Sequence, residues 1–340
     1  MNFPFAALVA QDELKLALLL AVINPAVGGV LIEGPYGVGK TTAVRGLVEL
    51  LPPVSHPVCE RGCTEDDPAG QCIECRERVL KGEPLAVTEP MRLVELPLTA
   101  RLEDVVGGIS ERVALEQQRV LLEPGVLASA HNQLLYVDEV NLLDPLVVDA
   151  ILDAAAQGRT FVRRGAMVRL YPSRFVLIGS MNPEEGRLRP QILDRFGLRV
   201  WVAPLAERAL RLQAARHARS FRHDPDAVAA QFAVATARLA TLVAAARAAL
   251  PSMEPDEAAE ELAVALVDTL GIPSQRAEVV LVEAARAHAA LLGQAVATPD
   301  NVRAVALLAL RQRRSAALDA AQQRAAVEDA AIHAVLASAM

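Results

Sequence analysis

Across residues 28–204, short β-branched apolar runs alternate with segments of helical spacing, the pattern of parallel strands joined by covering helices. Five runs read as strands, over 29–33, 92–96, 134–138, 175–179 and 198–202. Between the third and fourth, residues 160–170 alternate apolar and polar side chains about Gly165, which predicts a β-hairpin projecting from the core. Beyond Pro204 the chain turns to Ala, Leu, Arg and Glu at helical spacing, broken at Pro225, Pro251, Pro255, Gly271-Ile272-Pro273 and Thr298-Pro299. Thr298 before Pro299 fits an N-cap with proline at the first helical position, and Ser274 offers a similar start for the segment holding Gln275 and Arg276. The expected architecture is a five-stranded parallel α/β sheet with helices on both faces and an inserted hairpin over 1–204, then an all-α domain over 205–340. A cysteine-rich insertion falls at about 56–84, and neither a solenoid repeat nor a disordered tail is expected.

Composition narrows the function classes. A length of 340 residues supports about two domains. With 53% hydrophobic and 22% charged residues, the chain is not globally disordered. The net charge of −7, without a basic block interleaved with aromatics, gives no support to nucleic-acid binding. The longest apolar runs, such as 14–22 with Lys15 inside it, fall short of the ~20 residues of a membrane span. Met1-Asn2-Phe3-Pro4-Phe5 lacks the positive segment of a signal peptide, so a cytoplasmic location is expected.

The first chemical signal follows the first strand. Gly34-Pro35-Tyr36-Gly37-Val38-Gly39-Lys40-Thr41 satisfies GxxxxGK followed by Ser or Thr, with Thr42 opening a helix expected over 42–51. Glycines let backbone N–H groups and the helix N-terminus face phosphate oxygens, while Lys40 reaches the β and γ phosphates and Thr41 ligates Mg²⁺. The third strand ends in Asp138-Glu139, which suits one carboxylate to Mg²⁺ and the other to polarising the attacking water. At the end of the fourth strand Asn182 stands beside the expected γ-phosphate position. Arg187, Arg189 and Arg195 follow the core, and an arginine there could reach a neighbouring subunit's nucleotide. Together these residues indicate an ATPase using ATP and Mg²⁺.

A second signal is independent of the first. Cys59, Cys63, Cys72 and Cys75 comprise all four cysteines, spaced CxxxC and CxxC across eight intervening residues. Two close thiolate pairs suit a tetrahedral structural Zn²⁺ site in a cytosolic protein; an Fe–S cluster, a redox pair or four unligated thiols share the spacing. Gly62, Asp66-Asp67-Pro68 and Gly70 mark turns between them, and His56 is a spare ligand.

With these residues the chain resembles AAA+ ATPases, and more narrowly the I subunit, the motor ATPase, of magnesium chelatase. The resemblance runs through the phosphate loop, Leu135-Tyr136-Val137-Asp138-Glu139-Val140-Asn141-Leu142-Leu143, and Asn182-Pro183-Glu184-Glu185-Gly186 through Arg195-Phe196-Gly197-Leu198. It departs at Ala10, Val38 and Gln275-Arg276-Ala277. The resemblance implies a homo-oligomeric ring, a hexamer, with Asn182 as sensor 1, Arg195 as the trans arginine finger and Arg276 as sensor 2. It further implies a D-type partner and an H-type partner that binds protoporphyrin IX and receives Mg²⁺. A MoxR-like remodelling chaperone and a cobalt-chelatase motor would use the same ATPase residues.

Overall fold

The computed structural model describes residues 1–314 apart from 60–62, 64, 66, 67, 70, 111–114, 117, 119, 121 and 166. The turn markers Gly62, Asp66, Asp67 and Gly70 lie outside the described residues, as does the segment 315–340 on which the absence of a disordered tail was expected. The first half contains, in chain order, α1 (Asp12–Ile23), β1 (Val30–Glu33), α2 (Lys40–Leu47), β2 (Pro53–Pro57), α3 (Ile73–Leu80), β3 (Ala86–Pro90), β4 (Leu93–Leu96), α4 (Leu102–Val106), β5 (Gly107–Ile109) and β6 (Leu122–Pro124). It continues with α5 (Val126–Ser129), β7 (Leu134–Val137), α6 (Pro145–Gln157), β8 (Arg159–Arg164), β9 (Met167–Pro172), β10 (Val176–Met181), α7 (Pro190–Arg195) and β11 (Leu198–Trp201). The helices α8 (Arg208–His223), α9 (Pro225–Ala249), α10 (Glu257–Thr269), α11 (Arg276–Leu291) and α12 (Pro299–Leu310) follow.

All five expected strands pair in one parallel sheet, ordered β11-β1-β10-β7-β4. Its central strands β1, β7 and β10 are buried at every position, as a sheet covered on both faces requires. Alternation along β1 divides the core. Val30 and Ile32 pack with Leu18, Leu47 and Leu281 on one face, while Leu31 packs with Ile151, Leu152 and Phe196 on the other. The first cluster takes in Val243, Leu281 and Ala284, so the C-terminal helices share a core with the sheet. The expected hairpin is β8–β9, with Gly165 at its tip at φ +59°.

Three local expectations shift. The helix after the phosphate loop begins at Lys40 rather than Thr42, because Gly39 at φ +91° is already its N-cap; it ends at Leu47 and tightens into a 3₁₀ turn over Val48–Leu50. Helix α11 is capped at Gln275, not Ser274, whose hydroxyl donates instead to Asp194 Oδ2 at 3.1 Å. Thr298 does cap α12, in a reciprocal box with Asn301. The stretch Pro225–Ser252 is long and apolar enough to cross a membrane by length and composition, against the expectation from apolar runs. Alanine supplies that hydropathy, and Arg247 on this helix donates to the Val22 carbonyl at 2.7 Å, tying it to α1.

Candidate functional site

Strand β1 delivers the phosphate loop to the C-terminal edge of the sheet. At Gly34 a Cβ would lie 2.3 Å from the Val202 carbonyl oxygen, so only glycine lets the loop leave the strand against β11's continuation. Gly39, left-handed at φ +91°, turns the chain into α2. The loop, Thr42, Asp138, Glu139, Ser180, Met181 and Asn182 line a cavity of about 270 Å³. Lys40 Nζ donates to the Gly34 carbonyl and, at 3.2 Å, to that of Pro35. Burial pulls the lysine pKa down, while the carboxylates of Asp138, Glu139 and Glu185 oppose the shift.

Three hydroxyls converge on Asp138. Thr41 donates to Oδ2 at 3.2 Å, Tyr136 donates to Oδ1 at 2.9 Å, and Ser180 donates to the same Oδ1. Tyr136 is fully buried two residues before Asp138, and strand periodicity puts both side chains on the face that α2 covers. Its hydroxyl also reaches Ser180 Oγ at 3.1 Å and Thr41 Oγ1 at 3.2 Å, which joins the Thr41 and Asp138 side chains. Tyr136→Phe is therefore expected to raise the Mg²⁺ concentration for half-maximal ATP hydrolysis by about tenfold, the effect of roughly one lost hydrogen bond to a charged group. A Mg²⁺ titration that coincides with wild type would remove Tyr136 from this role.

Glu139 holds a left-handed backbone, φ 52° and ψ 47°, and its N–H donates to Ser180 Oγ at 3.3 Å. Such a conformation is strained for a non-glycine residue and aims the side chain off the strand line. Burial, then the neighbouring carboxylates of Glu185 and Asp138, raise its pKa above the ordinary 4.5, with Lys40 opposing. A general base works only when ionised, so hydrolysis should fall with decreasing pH through a value above that of a free glutamate. Removing the Glu185 charge lowers the Glu139 pKa; the acid limb of the kcat–pH profile of Glu185→Gln should therefore move to lower pH. An acid limb that stays in place would detach it from Glu139.

Asn182 is buried, and its Oδ1 accepts from the Glu184 N–H at 3.2 Å. Its Nδ2 is buried without a hydrogen-bond partner among the described residues. An amide donor left open in the lining of this cavity fits a phosphate oxygen or a water. With the lysine ammonium, a hydroxyl, two carboxylates and free helix N–H groups, the donor set fits MgATP. A second, more apolar cavity of about 890 Å³ shares the loop from Tyr36 to Gly39 and extends past Leu8, Val9, Pro204 and Leu205, which suits a nucleoside. Sequence reasoning found neither this cavity nor the Tyr136–Ser180 pair. The strand pattern around Asp138 could have signalled Tyr136.

The arginines stand apart from this cavity. Arg195 pairs with Asp153 at 2.5 Å, Arg189 with Asp149 at 3.4 Å, and Arg187 is exposed. Arg276 approaches Asp194, 4.0 Å from Oδ2 and 3.4 Å from the carbonyl oxygen, and shares with Arg195 a cavity of about 640 Å³ that none of the phosphate loop lines. Arg276 thus lines a cavity with the finger candidate and not with its own chain's phosphate loop. Two buried arginines lock this corner. Arg313 donates to Asp194 Oδ1 and the Gly197 carbonyl, both at 2.8 Å, and Arg199 donates to the Gln312 carbonyl at 2.6 Å. Burial and the Arg313 charge pull the Arg199 pKa down to about 10.

The four cysteines lie in the segment joining β2 to β3, with all four Sγ atoms within 4.8 Å of one another. Cys63, Cys72 and Cys75 are buried and Cys59 half-buried. His56 is not part of the group; its Nε2 lies 2.7 Å from Gln133 Nε2.

A β11-β1-β10-β7-β4 parallel sheet, a phosphate loop on β1, paired carboxylates after β7 and a helical lid define a P-loop ATPase of the AAA+ class. Family models place an AAA lid domain over residues 257–335 and magnesium chelatase, subunit ChlI, over 109–187. The magnesium-chelatase 38 kDa subunit of Acidiphilium rubrum is 42% identical over 330 residues, covering 96% of each chain. A magnesium-chelatase subunit ChlI homolog of Methanocaldococcus jannaschii is 40% identical, covering 92% of this chain and 85% of that protein. The chain belongs to the magnesium-chelatase subunit ChlI family. Among solved structures, a chain of the complex between subunits BchI and BchD of magnesium chelatase matches with a TM-score of 0.52 and 37% identity, covering 93% of this chain and 97% of that one. A putative ATPase from Cytophaga hutchinsonii matches in fold alone, at 16% identity and a TM-score of 0.58.

Proposed function

We propose that this chain is the ATP-hydrolysing motor subunit of a magnesium chelatase, acting in the cytoplasm as a hexameric ring with D-type and H-type partners. The observation that carries the ATPase chemistry is the convergence of Lys40, Thr41, Asp138, Glu139 and the open Asn182 amide on one cavity. Loop N–H groups and Lys40 hold the β and γ phosphates; Thr41 and Asp138 would hold Mg²⁺, which would supply positive charge against the phosphoryl oxygens. Asn182 orients the attacking water and Glu139 accepts its proton as the bond to the γ-phosphorus forms and the β–γ bridging bond breaks. Arg195 completes the site from a neighbouring subunit, and its shared cavity with Arg276 supports putting both on that trans face. Residues 1–204 form the ATPase core and 205–340 the lid domain. The cysteine quartet would hold a structural Zn²⁺.

The chelatase assignment rests on family membership and on the BchI–BchD likeness. It is tested by combining this protein, ATP and Mg²⁺ with purified D-type and H-type subunits and protoporphyrin IX, and following fluorescence of the metallated product. Mg-porphyrin formed only when this chain and ATP are both present is the expected result. ATP hydrolysis without insertion, using partners competent with another I subunit, would overturn the chelatase role and point to a remodelling or cobalt-inserting motor.

A further inference from the structure

Among its described residues the cysteine segment has no apolar core beyond the cysteines and Leu85. Between β2 and β3 the described buried side chains are Cys63, Gln71, Cys72, Cys75 and Leu85, and the local apolar cluster consists of the cysteines and Leu85. Helix α3 has only eight residues, buries only Cys75, and leaves Ile73 and Leu80 75% and 87% exposed. An eight-residue helix does not hold itself together in water, and one leucine with four thiols buries too little to offset the ordering of the segment.

The sulfur geometry supplies what the missing core does not. Four Sγ atoms all within 4.8 Å of one another need close by only about 1 Å to reach the ~3.8 Å edge of a tetrahedron built on Zn–S bonds of about 2.3 Å. Two backbone N–H groups are also turned toward sulfur: that of Cys63 donates to Cys59 Sγ at 3.4 Å, and that of Cys72 to Cys63 Sγ at 3.3 Å. Such donors favour sulfur carrying negative charge, the metal-ligand form, and at Cys63 oppose the burial that pushes the thiol up.

The foot of this segment is fastened to the central sheet at the entrance to β7. Asn132 Nδ2 donates to the Ser55 carbonyl at 2.9 Å, and Gln133 bridges His56 at 2.7 Å and the Arg92 N–H at 2.5 Å, just before β4. Asp138 follows Gln133 by five residues, just past the end of β7, roughly 16 Å away at strand rise. We infer that metal loading of the cysteine quartet orders the described residues between β2 and β3 and thereby braces the N-terminal ends of β4 and β7, at the end of the sheet opposite the ATP site. The inference rests on the Zn²⁺ assignment made above and is independent of the chelatase role.

Metal analysis of the purified full-length protein should give one Zn²⁺ per chain. Stripping the metal with a mercurial and chelator, followed by hydrogen exchange, should lower amide protection in 53–57 and 71–90 by at least about tenfold while β1 and α11 keep theirs. Zn²⁺ readdition should restore it. Iron with acid-labile sulfide, or no metal, would overturn the Zn²⁺ assignment. One Zn²⁺ per chain with unchanged protection after its removal would overturn the brace and leave the assignment standing. Cys72→Ser tests the same point without reagents and should lose both the metal and the protection. Should that variant fail to fold, the stripped wild-type protein decides.

Discussion

Glu139→Gln is expected to bind MgATP as wild type does and to turn it over about 10²–10⁴-fold more slowly, the usual contribution of a general base. The amide keeps the size of the carboxylate and can still hydrogen-bond the attacking water, but it cannot take the proton. The backbone N–H bond to Ser180 at 3.3 Å survives the change, so the left-handed turn that aims position 139 persists. Equilibrium binding of a fluorescent ATP analogue and phosphate release measured on one sample separate the two effects. Turnover within threefold of wild type would remove Glu139 from its role; loss of binding would indicate that the substitution disturbed the phosphate loop.

Arg195→Ala should lower hydrolysis in the assembled protein by about 10³–10⁵-fold, the range for a trans-acting arginine, with ATP binding intact. The side chain pairs with Asp153 on α6, and at 35% side-chain exposure it is open to a neighbouring subunit. The decisive measurement is mixing. A Lys40→Ala subunit has a defective loop and a sound finger, and an Arg195→Ala subunit the reverse, so two inactive preparations should regain activity together. No recovery would place Arg195 in its own subunit's site, and an active Arg195→Ala ring would move the finger to Arg187 or Arg189.

The phosphate loop, the five strands and the Asp138-Glu139 pair were legible because each is a local pattern: glycine spacing, apolar periodicity, a carboxylate pair at a strand end. The strand expectations fell within two residues at every end. Helix α2 starts two residues before the expected Thr42 because the loop's last glycine serves as the helix cap, so Lys40 and Thr41 belong to the first turn. Ser274 looks like a cap in sequence, yet its hydroxyl is drawn to Asp194, eighty residues away in the chain.

Sequence alone determined the class of chemistry here, since phosphate binding by a loop between strand and helix depends on residues adjacent in the chain. It also determined that four thiols lie close enough in sequence to share one ion. Only the tertiary structure decided which hydroxyls secure Asp138, that Asn182 keeps an open donor in the cavity, and that Arg276 lines a cavity with Arg195 instead of with its own phosphate loop. Those relations join residues dozens of positions apart through sheet order and lid packing, and burial sets their strength by removing the water that would otherwise compete for each hydrogen bond.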